Sequence, residues 1–483
     1  MDNMTVTRFA PSPTGYMHIG NLRTALYAWL IAKADGGKFI LRIEDTDRQR
    51  LVEGSVEVIL ETLKTAGLTV DEGPEQGGPN GPYIQSERLP IYKEYAEKLV
   101  SDGKAYYCFC DKERLESLHE QQAGGGYDGH CRDLSEEEVR AKLAAGIPHV
   151  IRQKMPLTGR TTYTDMVFGE IAVDNKELTD QILLKADNYP TYNFAHVVDD
   201  YLMGVTHVVR GSEYLSSTPK YALLYDAFGW PRPNYVHLPL LMGMNEDGTV
   251  SKLSKRHGAV SFQDLCGMGY LPEAIVNYIA FLGWSPKDTN KEIFTLNELQ
   301  EVFSIDGINK SPAVFDYNKL LWFNGEYIRM LSPEEFARSA EGFLTEEEKA
   351  FPKIGKILSL IQPRIGALAD IREAVRFFFE LPDYDTDLYV NKKNKTTVES
   401  CLKILTEVRK TLESTEDWNN DALYAVLKDK AAEMDIKAGA VMWAVRVAVS
   451  GLAVTPGGAT ELMEVLGKDT SLERIDVGIG KLR

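Results

Sequence analysis

Residues Arg8 to Leu30, RFAPSPTGYMHIGNLRTALYAWL, limit the fold more than any other stretch. Thr5 to Ala10 read as a short strand. Leu22, Ala25, Leu26, Trp29 and Leu30 then recur at i, i+3, i+4, i+7 and i+8, the spacing of one apolar helix face. Gly36-Gly37 stops that helix. KFILRIED follows as a nearly continuous apolar strand, as buried parallel strands tend to be. Strand, helix, strand is a βαβ unit, so the chain opens as an open α/β sheet. The loop inside the unit has neither the Gly-Lys-Ser/Thr end of a Walker loop nor the Gly-x-Gly-x-x-Gly of a dinucleotide fold. Pro11 and Pro13 stiffen it, and Gly15 allows a positive φ. Gly20 stands at the helix entrance, where free N–H groups and the positive helix end attract phosphate. His18 adds a donor for charge developing on a phosphate oxygen.

The sheet is then interrupted. Gly73 to Tyr83 is a loop by composition. QSERLPIYKEYAEKLVSDGKAYYCFC is an amphipathic helix leading to a strand and a cysteine pair. LHEQQAGGGYDGHCRDLSEEEVRAKL is polar and glycine-rich, then helical, and RTTYTDMVFGEIAV is β-like. The α/β character returns at YPTYNFAHVVDDYLMGVTHVVRG, with THVVRG a buried strand. After about Trp322 the strand signals fade and segments of helical period take over. Ser332-Pro333-Glu334-Glu335 is a helix start among them. The expectation is an α/β sheet with an inserted block and an all-α C-terminal third.

Composition narrows the class. A chain of 483 residues suggests two to four domains. Its 44% hydrophobic and 26% charged residues are the balance of an ordinary soluble globular protein. The first residues lack the pattern of a signal peptide, and the apolar stretches are too short to span a bilayer. The expectation is a cytoplasmic protein with no membrane partner. Five cysteines do not make a disulfide framework. Cys266 and Cys401 read as small buried hydrophobes, whereas Cys108, Cys110 and Cys131 cluster. With 54 basic against 71 acidic residues the net charge is −17. That weighs against a partner that is mostly phosphate, although association follows the local field rather than the total.

A second motif, VSKLSKRHG, spans Val250 to Gly258. Lys252 and Lys255 flank a serine, with Arg256 next. Alone, the first loop reads as a helix cap with a stray histidine and the second as a solvated basic loop. Together, a PSPTG-x-x-HIGN loop and a KLSKR loop resemble the two signature motifs of class I aminoacyl-tRNA synthetases, usually written HIGH and KMSKS. Asn21, Leu253 and Arg256 depart from those letters in the manner of the glutamyl and glutaminyl branch. RFAPSPTG, LRIEDTD, YPTYNFAHVVDD, THVVRGSEYLSSTP and KLSKRHG look like successive blocks of the bacterial glutamyl-tRNA synthetases, over essentially the whole chain. The helical C-terminal third separates it from glutaminyl enzymes, which carry β-barrels there, and from the short relative that glutamylates queuosine.

The resemblance implies a Rossmann-like parallel-sheet catalytic domain in two halves, 1–87 and 191–235. It implies an inserted α+β acceptor-binding domain at 88–190, a tRNA stem-contact region with the KLSKR loop at 236–325, and an all-helical anticodon-binding module at 326–483. Glutamate would attack the α-phosphate of ATP, giving glutamyl-adenylate and pyrophosphate. The terminal ribose of tRNA(Glu) would then take the glutamyl group. Positioning and charge stabilisation carry most of such chemistry. The catalytic residues would be His18, Gly20, Asn21, Lys252 and Lys255. ATP, with Mg2+, would also meet Pro11, Ser12, Glu213, Ser254 and Arg256. Glutamate would meet Arg8, Ala10, Ser12, Glu44, Tyr192, His196 and Arg210, the arginines offering a fork to its side-chain carboxylate. His196 stands where the family often has Asn, and its titration would add pH sensitivity.

The cysteines resemble a zinc knot that some members carry. The fourth ligand there is usually His or Tyr, and here Asp133 is expected, with His130 or His119 as substitutes. A relic site without metal is the alternative. Arg364 and Arg372 lie where the family reads the anticodon. The implied protein is a monomer. Rival readings are an enzyme that also charges tRNA(Gln), a glutaminyl enzyme, a nucleotidyltransferase, and a silent paralogue that only binds tRNA.

Overall fold

The computed structural model describes residues 4–121, 126–258 and 260–483. The chain forms two compact units. One comprises Met1–Gly267 with Pro272–Leu320, and the other Met268–Leu271 with Leu321–Arg483.

The first unit opens as the sequence predicts. Strand β1 (Val6–Phe9) pairs in parallel with β2 (Lys38–Leu41), and helix α1 (Ile19–Ala34) makes the crossover. The helix differs from the expected single apolar face: every residue from Ala25 to Ala32 is buried. A much later helix, Pro272–Ala280, covers its other side. The Tyr27 hydroxyl donates to the carbonyls of Ala280 and Leu282 there, at 2.9 and 3.1 Å.

Helices α2 (Ser55–Thr65) and α3 (Leu89–Ser101) lead to the interruption. Within it, β3 (Ala105–Cys108), β4 (Val150–Gln153) and a later β7 (Ile182–Leu184) form an antiparallel sheet. The helices α4 (Lys112–Gln121) and α5 (Glu136–Ala144) lie between β3 and β4 in sequence. The hairpin β5 (Arg160–Asp165) and β6 (Gly169–Asp174), read from sequence as part of the inserted block, pairs elsewhere. Asp165 is in parallel register with Tyr235 of the resumed sheet.

That sheet resumes after α6 (Tyr192–Leu202) with β8 (His207–Gly211), α7 (Thr218–Phe228) and β9 (Asn234–Leu238). Strands β8 and β9 are parallel, and the order is β6-β5-β9-β8. The Thr206 N–H donates to the Val6 carbonyl at 2.9 Å, which ties the start of β8 beside β1. The carboxyl ends of β1 and β8 therefore lie side by side, where open sheets gather ligands. A small sheet follows, of β10 (Leu241–Met244), β11 (Val250–Lys252) and β12 (Ala313–Phe315).

The second unit is helical, with no strand among its described residues. Its first full helix, Pro333–Ala340, begins at the expected cap: Ser332 and Glu335 bond each other's backbone N–H at 3.3 and 2.9 Å. Among the described residues no helix is long and apolar enough to cross a membrane.

Candidate active site

The entrance of α1 is built by His18. Its Nδ1 accepts from the Gly20 N–H at 3.0 Å. Asn21 N and Leu22 N donate to the His18 carbonyl, and Ile19 N donates to that of Val260. All four N–H groups of the first turn are therefore bonded inside the protein. This corrects the expectation of free backbone donors for phosphate: the cap histidine folds back and takes the Gly20 N–H. With Nδ1 accepting, neutral His18 carries its proton on Nε2. A Cβ on residue 20 would stand 3.3 Å from that ring, so glycine leaves the histidine its place.

Four separate stretches line a cavity at this entrance. His18, Gly20, Asn21, Arg210, Glu213 and Lys252 share one cavity of about 250 Å³, together with Arg23, Tyr214 and Leu241. Four of the five expected catalytic residues are thus brought together, and the Lys255 side chain lies outside the described residues. Ser254 and the exposed Arg256 follow on the loop but do not line the cavity. Nor do Pro11 and Ser12; Pro11 instead accepts the Glu44 N–H at 3.0 Å. A wider groove beside α2, lined by Glu57, Glu61, Lys64 and Glu75, holds none of the motif residues.

The β10–β11 hairpin presents the basic loop, with Lys252 opposite Met242. Buried Leu253 anchors it, donating its N–H to the Leu241 carbonyl at 2.9 Å. The His257 ring meets Ser254 on one edge and Ser251 and Asn245 on the other. Gly243 makes room for that ring, since a Cβ there would come within 2.5 Å of it.

Arg210 lies on the floor and is 4% exposed. Its Nε donates to His237 Nε2 at 3.1 Å and its Nη2 to Thr218 Oγ1 at 2.8 Å. Nη1 is 3.4 Å from His196 Nε2. The rings of Tyr214 and Tyr221 face the guanidinium at 5.1 and 4.8 Å. Among the described residues no carboxylate lies within 4 Å of it. Burial, with the Arg210 charge beside it, lowers the His196 pKa to about 3. His196 Nδ1 bonds the Tyr192 carbonyl at 2.7 Å, and the two rings stack. The histidine is therefore neutral across the physiological range, contrary to the expected pH sensitivity.

Arg8 is different. It donates to Asp200 at 3.0 Å and to the Val209 carbonyl at 3.3 Å, and it does not line the cavity. It belongs to a buried network that the sequence reading did not assemble. Arg42 reaches Asp200 at 2.8 Å and Glu44 at 2.9 Å, and Arg88 reaches Asp199 at 2.7 Å. Three arginines, Arg8, Arg42 and Arg88, thus face three carboxylates. Burial raises the Glu44 pKa, opposed by Arg42 and Arg8.

The cysteine cluster is compact. The sulfurs of Cys108, Cys110 and Cys131 all lie within 4.8 Å of one another. Asp133 is not with them: its side chain is 88% exposed and sits 3.9 Å from Lys154. The fourth group is Tyr127, whose hydroxyl lies 3.3 Å from Cys108 Sγ and 3.6 Å from Cys110 Sγ. It also accepts the Cys131 N–H at 3.0 Å. His130 meets Asp128 through its backbone, and the His119 side chain lies outside the described residues. Burial, with the neighbouring sulfurs, pushes the Cys110 thiol up to about 12. Three thiols cannot all ionise at this spacing without a cation, and a bound dication reverses that balance. Three sulfurs and a phenol oxygen suit zinc.

In the second unit, Arg364 lines a cavity of about 450 Å³ with Phe377, Leu452, Thr455 and Pro456. Arg372 is exposed and does not line it.

Comparison with known proteins identifies the arrangement. The family described as "tRNA synthetases class I (E and Q), catalytic domain" matches residues 4–322, and "Anticodon binding domain" matches 335–479. The glutamate–tRNA ligase of Clostridium novyi is 57% identical over 481 residues, 99% of this chain and 98% of that protein. The chain belongs to the glutamate–tRNA ligase family of class I tRNA synthetases. A second relative, the glutamate–tRNA ligase of Clostridium botulinum strain Hall, is 55% identical across 100% of this chain and 99% of its own. The crystal structure of a glutamate tRNA ligase from Elizabethkingia meningosepticum in complex with its amino acid superposes with a TM-score of 0.89. It is 35% identical and covers 99% of this chain and 100% of its own.

Some residues of this family member escaped the sequence reading. Arg23, His237, Asp165 and Tyr127 carry no motif of their own. Only Tyr127 had a local signal, a tyrosine four residues before Cys131 in GGGYDGHC.

Proposed function

We propose that this protein is a glutamate–tRNA ligase that makes glutamyl-adenylate from L-glutamate and ATP and passes the glutamyl group to tRNA(Glu). The observation that carries the reading is a buried guanidinium without a carboxylate, Arg210, on the same cavity as His18, Asn21 and Lys252. The triphosphate of ATP lies at the α1 entrance, with Mg2+ reducing its charge. His18 offers its Nε2 proton to phosphate oxygens, and Lys252 and Lys255 stabilise charge on the departing pyrophosphate. Asn21, Glu213, Ser254 and Arg256 complete the nucleotide's surroundings, with Gly20 leaving room at the helix entrance.

Arg210 takes the side-chain carboxylate of glutamate in its open fork. Ala10, Ser12, Glu44, Tyr192 and His196 shape the rest of the amino-acid site. Arg8 acts mainly by pairing with Asp200 beneath it. Cys108, Cys110, Cys131 and Tyr127 would hold one zinc ion that fixes β3 to the loop after α4, with no chemical step routed through it. The anticodon is read at the Arg364 cavity, and the protein works as a cytoplasmic monomer.

The test is aminoacylation with radiolabelled glutamate and separately purified glutamate and glutamine tRNAs. Charging of tRNA(Glu) alone is the expected result. Charging of both would make it non-discriminating. Charging of neither, with ATP and magnesium present, would overturn the ligase reading.

A further inference from the structure

Behind Arg210 lies a fully buried pair that takes no part in the chemistry proposed above. His237 Nδ1 is 2.6 Å from Asp165 Oδ2, and both side chains are wholly inaccessible. Asp165 is itself fixed. Its Oδ1 accepts the N–H groups of Val167 and Phe168 at 2.9 and 2.8 Å, and its Oδ2 also accepts the His237 N–H at 3.2 Å. Burial holds the His237 pKa below its ordinary value, so the ring is neutral. An ionised carboxylate at Nδ1 can only accept. The ring proton therefore sits on Nδ1, and Nε2 is left as a lone pair. That lone pair meets Arg210 Nε–H at 3.1 Å.

Thr218 completes the arrangement. Its hydroxyl donates to the Tyr214 carbonyl at 2.8 Å, so its oxygen accepts from Arg210 Nη2. Nε and Nη2 are the two nitrogens on one side of a guanidinium. Both are held by neutral acceptors, and the outer fork, whose Nη1 has only the longer 3.4 Å contact to His196 Nε2, faces the cavity.

We propose that Asp165 and His237 are positioning residues for amino-acid specificity: Asp165 fixes the His237 tautomer, and His237 fixes the rotation of Arg210 that aims its outer fork at the substrate's side-chain carboxylate. The proposal rests on the reading of Arg210 as the ligand of that carboxylate. Neutral acceptors orient the arginine without cancelling its charge, which a carboxylate in either place would do. The pair reaches Arg210 only because β5 lies beside β9, which brings Asp165 against His237.

The test uses the full-length protein with tRNA(Glu) in pyrophosphate exchange, reading the KM for glutamate, the KM for ATP and the preference for glutamate over glutamine. His237→Leu removes the acceptor and is expected to raise the glutamate KM about 10- to 100-fold, the size of one hydrogen bond to a charged group. The ATP KM stays within about twofold and the preference over glutamine falls. His237→Gln restores an acceptor oxygen and stays within a few-fold of the parent. Asp165→Asn must keep its oxygen on the Val167 and Phe168 N–H groups. It then turns its amide toward Nδ1, moves the ring proton to Nε2 and reproduces the His237→Leu loss. In the His237→Gln background the same change has no further effect on glutamate. Nitrogen-15 shifts of the His237 ring report the moved proton. Where His237→Leu does not fold, the Asp165→Asn cycle decides. An unchanged glutamate KM in folded His237→Leu or in Asp165→Asn overturns the proposal. An unchanged glutamate KM in Arg210→Gln overturns the underlying reading instead.

Discussion

Arg8 and Arg210 were expected to do the same work, and the structure separates them. Replacing each by Gln tests that separation. Arg210 is buried with neutral hydrogen-bond partners, and no carboxylate among the described residues meets its guanidinium directly. Removing it leaves a buried substrate carboxylate unpaired, a loss of about 3–5 kcal/mol. At about 1.4 kcal/mol per decade, kcat/KM for glutamate falls by roughly two to three and a half orders of magnitude. The KM for ATP barely moves. Arg8 is already paired with Asp200, and Arg42 remains 2.8 Å from that carboxylate when Arg8 is gone. Its loss leaves two arginines against three buried carboxylates. Most of the cost then falls on folding, about 3–5 kcal/mol, and lowers the melting temperature by about 5–8 °C for a unit of this size. Pyrophosphate exchange at varied glutamate, varied ATP and fixed tRNA reads the first effect, and thermal unfolding reads the second. A larger rise in glutamate KM for Arg8→Gln than for Arg210→Gln, with an unchanged melting temperature, would refute the reasoning. So would equal losses for glutamate and ATP in Arg210→Gln.

Lys252→Ala is expected to slow adenylate formation about 10²- to 10³-fold, as loss of a charge-stabilising donor does, with tRNA affinity unchanged in a filter-binding assay. Metal analysis of the purified protein should give one zinc per chain. Cys110→Ser should release it and Asp133→Ala should retain it, and the reverse order would return Asp133 to the site. Arg364→Ala should raise the KM for tRNA(Glu) at least tenfold while Arg372→Ala does not, measured by aminoacylation at varied tRNA. His196 binds a proton in the unfolded chain below about pH 6.5 but in the native state only near pH 3. Its contribution to stability is complete above pH 6.5 and declines as pH falls through that window, by about 1.4 kcal/mol per unit. Urea unfolding at pH 7.0 and 5.5 should show that loss, and His196→Asn should reduce it.

The sequence shows what local pattern can encode. The βαβ opening, THVVRG as a strand and the Ser332 cap follow from periodicity and from cap chemistry within a few residues. The pairing of HIGN with KLSKR also survives, because each motif sits at an element boundary that sequence signals, HIGN at the start of α1 and KLSKR at the end of β11. What escaped depends on partners far along the chain. Arg8 meets Asp200 across 192 positions, and nothing near Arg8 marks it as already paired. The burial of α1 on all sides needs residues Pro272–Ala280, so its own spacing shows only one face. The expectation of Asp133, with His130 or His119 as substitutes, followed the resemblance to the family's zinc knot and did not consider Tyr127. A loop folds by its hydrogen bonds, and here the Cys131 N–H turns back onto the Tyr127 hydroxyl. Gly20 was read as a phosphate cradle, but whether an N–H at a helix start is free depends on the rotamer of the cap, which sequence does not show.

The proposed function asks an acidic chain to bind two anions in one cavity, and its arginines are disposed in two ways. Arg8, Arg42 and Arg88 are balanced by Asp199, Asp200 and Glu44, so that network adds rigidity and little field. Arg210 is oriented by an imidazole and a hydroxyl, which supply geometry and leave the positive charge intact. His196, with its Nε2 3.4 Å from the guanidinium, stays neutral and does not compete for the same anion. On the proposed reading of Arg210, discrimination between glutamate and glutamine follows from charge rather than shape. The two side chains are nearly isosteric, but an amide entering this site would bring no charge to meet the Arg210 guanidinium. A site that held Arg210 with a carboxylate could have the same hydrogen-bond distances and would lose that distinction.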